Sequence, residues 1–408
     1  MANLAHSTGT NGTNISRRTL LAGAGAAGLA GGLAMPAIAQ NKPIRMGWIV
    51  AVTGMFASNA QAQDYGLRMV VQDLNEKGGL LGRKIEIVMR DSGSDPAKAV
   101  SFANQLVYSE NVDVVCGPTN SGEILPTEGV ISGAKKLQIF PGTVDELVDP
   151  VKYPLVFRDE NNNTQWIKAA VKFMVEDLKK TKIAIINDNT GYGVLTRGAV
   201  TQILAQRNLK PVYTATVDPD KPDITDEVLK ARDAGADAIT EWSNAAGFVA
   251  RLINARSEQN WNVPIVGHMA ILQEAVAKLL SKRSYWDNVY GPNFRNAIVD
   301  ANGNLAAIAQ EFLDRHKDTA GPYLAAGGLQ AILTGHAGAS IYVAGVTKAG
   351  DTDSFKVKAA LESIPVVETP LGQFSFTPTD HTGYHDDGVV IVAANSQLPN
   401  LGYPPVKV

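Results

Sequence analysis

The sequence predicts an α/β protein of two doubly wound lobes, each a parallel sheet with helices on both faces. Three observations carry that prediction. Short apolar runs alternate with helical stripes, a pattern that places successive strands parallel and covers the sheet from both sides. The alternation starts at Lys42 and begins again after Arg158. Finally, 408 residues are too many for one compact core and suit about two domains of roughly 150 residues.

In the first half, 44–50 is an apolar strand, and 60–77 carries Leu67, Val70, Val71 and Leu74 at helical spacing. Residues 84–91 read as a strand. Asp95-Pro96 then supplies an N-cap and a proline at the first helical position, opening a helix to Glu110. The β-branched run 112–116 leads through a Gly/Pro/Thr/Asn/Ser loop to a helix near 123–136, and 138–140 is a short strand. Cys116 ends an apolar strand and is expected to be buried.

In the second half, Ile167, Ala170, Val171, Met174, Val175 and Leu178 form a helical stripe. Strands are expected at 182–187, 212–217 and 238–241, with helices at 193–206, 224–234 and 248–259. Later, 293–317 and 327–349 are expected to be helical, and 372–376 and 389–394 to be strands.

The N-terminal 39 residues differ from the rest. They hold Arg17 and Arg18 but no acidic residue, and 20–39 is uncharged. Ser16-Arg17-Arg18-Thr19-Leu20-Leu21 resembles the twin-arginine export motif, and Pro36-Ala37-Ile38-Ala39 resembles a signal-peptidase site. The glycine-rich run with four leucines is a poor membrane anchor, so 1–39 is expected to be a twin-arginine signal peptide. Gly23-Ala24-Gly25-Ala26-Ala27-Gly28 matches a dinucleotide fingerprint by composition alone. No strand precedes it, and the first acid of the chain is Asp64. No cofactor is expected.

Composition excludes several classes. With 37 basic against 40 acidic residues, the chain lacks the positive field of a nucleic-acid or membrane-surface binder. One cysteine permits neither an intrachain disulfide nor a cysteine-only zinc site. His381 and His385 lie four apart, but Gly383 between them indicates a turn rather than a ligating helix. No nucleophile elbow, phosphate loop or His-Glu-x-x-His motif occurs, so no enzyme is expected.

Two loops echo each other. Asp113-Val114-Val115-Cys116 runs into Thr119-Asn120-Ser121-Gly122, and Asp237-Ala238-Ile239-Thr240 into Ser243-Asn244-Ala245-Ala246. Each sets small and amide residues at the carboxyl end of a strand. Open α/β sheets bind ligands there, and free N–H groups at a helix start favour an anion. Ordinary N-capping explains either loop alone; their recurrence in both lobes points to a shared cleft.

Across nearly the whole chain after residue 40, specific segments resemble the branched-chain amino-acid-binding proteins, the type I periplasmic receptors of ABC importers. The segments are 47–54, Asn75 to Gly82 with its Asn-x-x-Gly-Gly-x-x-Gly spacing, and 91–96. Gly117-Pro118-Thr119-Asn120-Ser121, Phe157-Arg158, Asn187-Asp188 and Tyr192-Gly193 match as well. The resemblance implies three hinge crossovers, near Phe157, 290–294 and 365–369. It divides the chain into 40–156 plus 292–365 and 157–291 plus 366–408. It also implies a monomer in the periplasm that delivers a small-molecule ligand to membrane permease subunits, and the motif at 16–21 points to the twin-arginine translocase as its partner during export.

Ligand positions carry over one by one. Asn120, Ser121 and Gly122 match the loop that receives the ligand carboxylate. Gly142 and Thr143 match the threonine turn beside it, and Tyr192 matches an aromatic that closes over the ligand. Phe56, Ser58 and Asn59 match the first loop, which lines the side-chain end. Two departures stand out. Met269, after Gly267-His268, takes the place of a carboxylate that pairs with the ligand ammonium in amino-acid binders. Asn244 replaces a tyrosine, with Trp242 two residues earlier. An unpaired buried ammonium costs several kcal/mol. The expected ligand is therefore a carboxylate with an apolar or aromatic body, unless Glu241 supplies the charge. A ligand sensor of the same fold and an amide- or urea-type receptor are the alternatives.

Overall fold

The computed structural model describes residues 42–406; the expected signal segment lies outside them. The first sheet has the order β2-β1-β3-β4-β5, built from β1 (Ile44–Val50), β2 (Ile85–Asp91), β3 (Val114–Cys116), β4 (Leu137–Phe140) and β5 (Val156–Arg158). All its pairings are parallel. Helices α1 (Ala57–Glu76), α2 (Pro96–Asn104) and α3 (Ser121–Gly133) connect these strands. β3 and β4 are buried throughout, as strands covered on both faces must be, and Cys116 is buried with them. Asp95 caps α2 by accepting from the Ala97 and Lys98 amides, with Pro96 at the first helical position.

After α4 (Asn163–Lys172) come β6 (Ile183–Asp188), α5 (Gly191–Gln206), β7 (Tyr213–Val217), α6 (Thr225–Asp233) and β8 (Ala238–Trp242). Then follow α7 (Ala246–Glu258), β9 (Ile265–Gly267), the short α8 (Glu274–Ala277) and β10 (Val289–Phe294). The chain continues with α9 (Ala307–Ala349), α10 (Ser354–Ser363), β11 (Val367–Thr369), β12 (Gly372–Phe374) and β13 (Val389–Ala393). The second sheet has the order β13-β10-β9-β8-β6-β7 and is parallel except for β13, which runs antiparallel to β10. β11 and β12 form a separate two-stranded ribbon.

One expectation is corrected. The stretch 293–317 is not one helix: β10 runs to Phe294 and α9 begins only at Ala307. α9 breaks at Gly328, whose φ of 80° and ψ of 172° are not helical, so two helices meet there and the second runs to Ala349, in keeping with the separate helix expected at 327–349. Phe157 and Arg158 pair in the first sheet, while Pro292, Asn293 and Phe294 pair in the second.

Glycine explains the close pairing of α1 with α9. A Cβ on Gly66 would lie 1.9 Å from the Ile332 carbonyl oxygen, and one on Gly335 would lie 1.9 Å from that of Gln63. Only glycine allows backbones to approach this closely. The contact fixes α1, whose first two turns carry Asn59 and Gln63 toward the cavity.

Candidate functional site

The site lies where the carboxyl ends of the two sheets face each other. On the first lobe, β3 ends and α3 begins at Ser121. Asn120 caps α3: its Oδ1 accepts from the Glu123 amide at 3.1 Å, and its amide nitrogen donates back to the Glu123 carboxylate. Burial pushes the Glu123 carboxyl up to about 7, against the lowering effect of bonds from Ser92 and Asn120. The helix N-terminus offers backbone N–H groups and a positive dipole end beside Ser121. Pro141 and Thr143 follow β4 on the same wall.

On the second lobe, a polar network holds two strand ends together. Asp188 at the end of β6 accepts from the Thr190 amide at 3.0 Å and from the Ser243 hydroxyl at 2.5 Å. Ser243 accepts in turn from the Ala245 amide at 3.1 Å, and Asn244 between them lines the cavity. Thr190 caps α5 by accepting from Gly193, which positions Tyr192 in the first turn. His268 follows β9; its Nδ1 accepts from the Ala270 amide at 3.1 Å. The ring is neutral, because burial pulls its pKa down to about 3. With Nδ1 accepting, the proton sits on Nε2. Trp166 and Tyr192 pack edge-on against His268, with centroids at 5.0 and 5.2 Å.

Several of these buried groups lack partners. The Trp166 indole N–H, the Tyr192 hydroxyl, Gln63 Oε1 and Asn244 Oδ1 make no hydrogen bond among the described residues. Buried polar atoms are normally paired, so four around one space mark a place built for another molecule. Burial raises the Tyr192 phenol pKa well above its ordinary value. Glu160, in the loop between β5 and α4, also lines the space and is 3% exposed. Burial, reinforced by the charge of Asp159, pushes its carboxyl well above the usual range despite Arg158 nearby.

The lobes are closed on this site. Gln273 from the second lobe donates to Asn59 Oδ1 at 3.0 Å and accepts from the Ser58 hydroxyl at 3.4 Å. The N-termini of α3 and α5 abut so tightly that a Cβ on Gly191 would lie 3.3 Å from Gly122 Cα. The enclosed volume is about 10 Å³, room for roughly one water. A larger molecule therefore enters only when the lobes part. The open grooves beside β13 and between α1 and α9, about 440 and 460 Å³, contain none of the four unpartnered atoms.

Of the residues expected at the site, Asn59, Asn120, Ser121, Thr143, Tyr192, Asn244, His268 and Met269 line the cavity. Five do not. Phe56 is buried in the core, and Ser58 is engaged with Gln273. Gly122 is spent on the contact with Gly191. Gly142 gives its carbonyl to Arg158, and a Cβ there would lie 2.4 Å from Ile124 Cδ1. Trp242 is fully buried, its indole donating to Thr240 Oγ1 at 2.9 Å. Glu241 is also fully buried and does not line the cavity; its carboxylate lies under Gly267. Sequence reasoning missed Gln63, Thr119, Pro141, Glu160 and Trp166. Gln63 lies one helical turn beyond Asn59, a signal that was available. Glu160 carries no local pattern; only the path of the chain after β5 turns it inward.

Among the described residues, no group of His, Cys, Asp or Glu could hold a metal ion, and no helix is long and apolar enough to cross a membrane. His381 donates from Nδ1 to the Val156 carbonyl at 2.8 Å and meets Glu362 through Nε2 at 2.9 Å, whereas His385 meets Ser375, so the two do not converge.

The periplasmic binding protein family model matches residues 43–397. The Leu/Ile/Val-binding protein homolog 2 of Brucella abortus (strain 2308) is 24% identical over 335 residues, covering 82% of this chain and 86% of the relative. Two solved structures share the fold. The branched-chain amino acid transporter substrate-binding protein of Streptococcus pneumoniae, in complex with isoleucine, aligns with a TM-score of 0.73 at 20% identity, covering 86% of this chain and 99% of that one. An ABC-transporter solute-binding protein of Rhodopseudomonas palustris BisB5, in complex with 3,4-dihydroxybenzoic acid, aligns with a TM-score of 0.71 at 18% identity, covering 86% and 91%.

Proposed function

We propose, from the premise that the chain belongs to the periplasmic binding protein family, that it captures a small carboxylate-bearing ligand between its lobes and delivers it to an ABC-transporter permease. The ligand is an amino acid or an aromatic or apolar acid. One observation carries the reading: the α3 N-terminus with Asn120 and Ser121 faces a cluster of Trp166, Tyr192 and His268 across a closable cleft. The helix end suits a carboxylate, and the aromatic cluster suits an apolar or aromatic body with a polar edge. The relatives' names and the isoleucine and dihydroxybenzoic acid of the two structural neighbours span the same range of ligands. Twin-arginine export would place the protein in the periplasm, where it would act as a monomer. Contacts from both lobes to one ligand would shift the population toward the closed form that the permease receives.

The test is a thermal-shift screen of the purified protein against amino acids, aromatic acids, dicarboxylates and amides. A ligand at a hundred times its dissociation constant stabilises by about 2.7 kcal/mol, an easily read rise in Tm. Stabilisation by amides alone would replace the reading with an amide receptor. Recovery of a chemically altered ligand would replace it with an enzyme.

A further inference from the structure

We infer that Glu160 reads the ligand's second polar end by pairing with an ammonium or amine group, so that zwitterions are preferred over plain acids of the same shape. The inference rests on the reading of the cleft as a carboxylate-ligand site. Glu160 reaches the cavity from the hinge loop after β5, is 3% exposed and accepts no hydrogen bond from a donor among the described residues. Around the same space, Gln63 Oε1 and Asn244 Oδ1 are buried acceptors without donors. An ammonium has three donors and no acceptor, which this set of three acceptors fits. A plain acid brings no donor for the Gln63 and Asn244 oxygens and leaves them unpaired, a buried arrangement that proteins avoid.

The charge balance is explicit. Glu160 sits beside Arg158 and Asp159 on its own segment, faces neutral His268 and Tyr192 across the cavity, and has Tyr384 nearby. Arg158 is already committed to the Gly142 and Val144 carbonyls. Burial favours the protonated carboxyl in the free protein. An arriving ammonium favours the carboxylate, so the carboxyl proton leaves to the buffer as the ion pair forms.

Isothermal calorimetry on the wild-type protein tests this with probe pairs that differ only in the amine: L-phenylalanine against 3-phenylpropanoate, and L-leucine against 4-methylpentanoate. The amine-bearing member should bind at least about tenfold tighter. Its heat should depend on the buffer's ionisation enthalpy, as proton release requires. Glu160→Gln, which keeps shape and removes the charge, should equalise the pair and abolish the buffer dependence. Equal or tighter binding of the amine-free acid overturns the inference alone, as does a preference that survives Glu160→Gln. Failure of every member of both pairs to bind overturns the carboxylate reading and the inference with it.

Discussion

The strand-end loops 119–122 and 243–246 look alike in sequence and are built in opposite ways. In the first, Asn120 spends its side chain on the α3 terminus, accepting from and donating to Glu123. What remains for a ligand there is backbone N–H and the Ser121 hydroxyl. In the second, α7 starts after Ala245 with no side-chain cap. Ser243 turns inward to Asp188, and Asn244 is left with an unpartnered amide oxygen at the cavity. One loop is a completed helix terminus that offers donors; the other is a strut that frees an acceptor. Equal composition at equal positions therefore does not imply equal roles, because partners elsewhere in the fold decide which polar atoms are left over.

The sharpest way to break the comparison is to keep the first loop from meeting the α5 N-terminus across the cleft. Gly191→Val adds a side chain where a Cβ alone would lie 3.3 Å from Gly122 Cα. Closure should be blocked and affinity for any stabilising ligand should fall about a hundredfold, or ~2.7 kcal/mol. The ligand-free Tm should be nearly unchanged, since the collision involves only the closed form. Undiminished affinity in calorimetry would show that closure does not need this contact. Next in size is Ser243→Ala. It removes the 2.5 Å bond to buried Asp188 and should lower stability by about 1–3 kcal/mol, read by denaturant titration. The second loop is thus expected to matter to the fold as much as to the ligand.

His268 separates the two walls by pH. Burial holds its folded pKa near 3, below the ordinary 6.5 expected in the unfolded chain. Between those values the unfolded state binds more protons, so stability rises with pH through the window from about 3 to 6.5. The slope contributed by this one group approaches ~1.4 kcal/mol per pH unit. His268→Gln should remove that increment, measured as the difference between wild-type and variant unfolding curves at pH 4.5 and 7. A parallel pair of pH profiles would mean that the ring is solvated in solution.

Much of this architecture was legible because it is local. Asp95-Pro96 announced α2, and the largely apolar run at 44–50 and the apolar run at 183–186 announced buried parallel strands. The site was legible where residues sit at strand ends, as Asn120, Ser121, Asn244 and His268 do. It was misread where the decisive partner is distant in sequence. Trp242 looked like a ligand aromatic, yet alternation along β8 turns it into the core beside Thr240. Glu160 and Trp166 were invisible because only the turn from β5 into α4 brings them to the cavity. The break in α9 was legible too: the helix expected from 327 meets the one before it at Gly328, whose φ of 80° and ψ of 172° are not helical.

The smallest expected effect discriminates best between the two loops. Asn120→Ala deletes an N-cap whose Oδ1 accepts from Glu123 at 3.1 Å, and such caps are worth about 1 kcal/mol. It also strands the Glu123 carboxyl, whose pKa near 7 already reflects costly burial. Both stability and ligand affinity should therefore fall. Asn244→Ala deletes an amide oxygen that has no partner in the protein, so it removes a desolvation cost rather than a bond. Stability should hold or rise by a few tenths of a kcal/mol while affinity alone falls. Measured side by side by thermal unfolding with and without ligand, the two asparagines should give opposite signs in the ligand-free protein. Equal losses from both would mean that the loops are equivalent after all, each merely a cap.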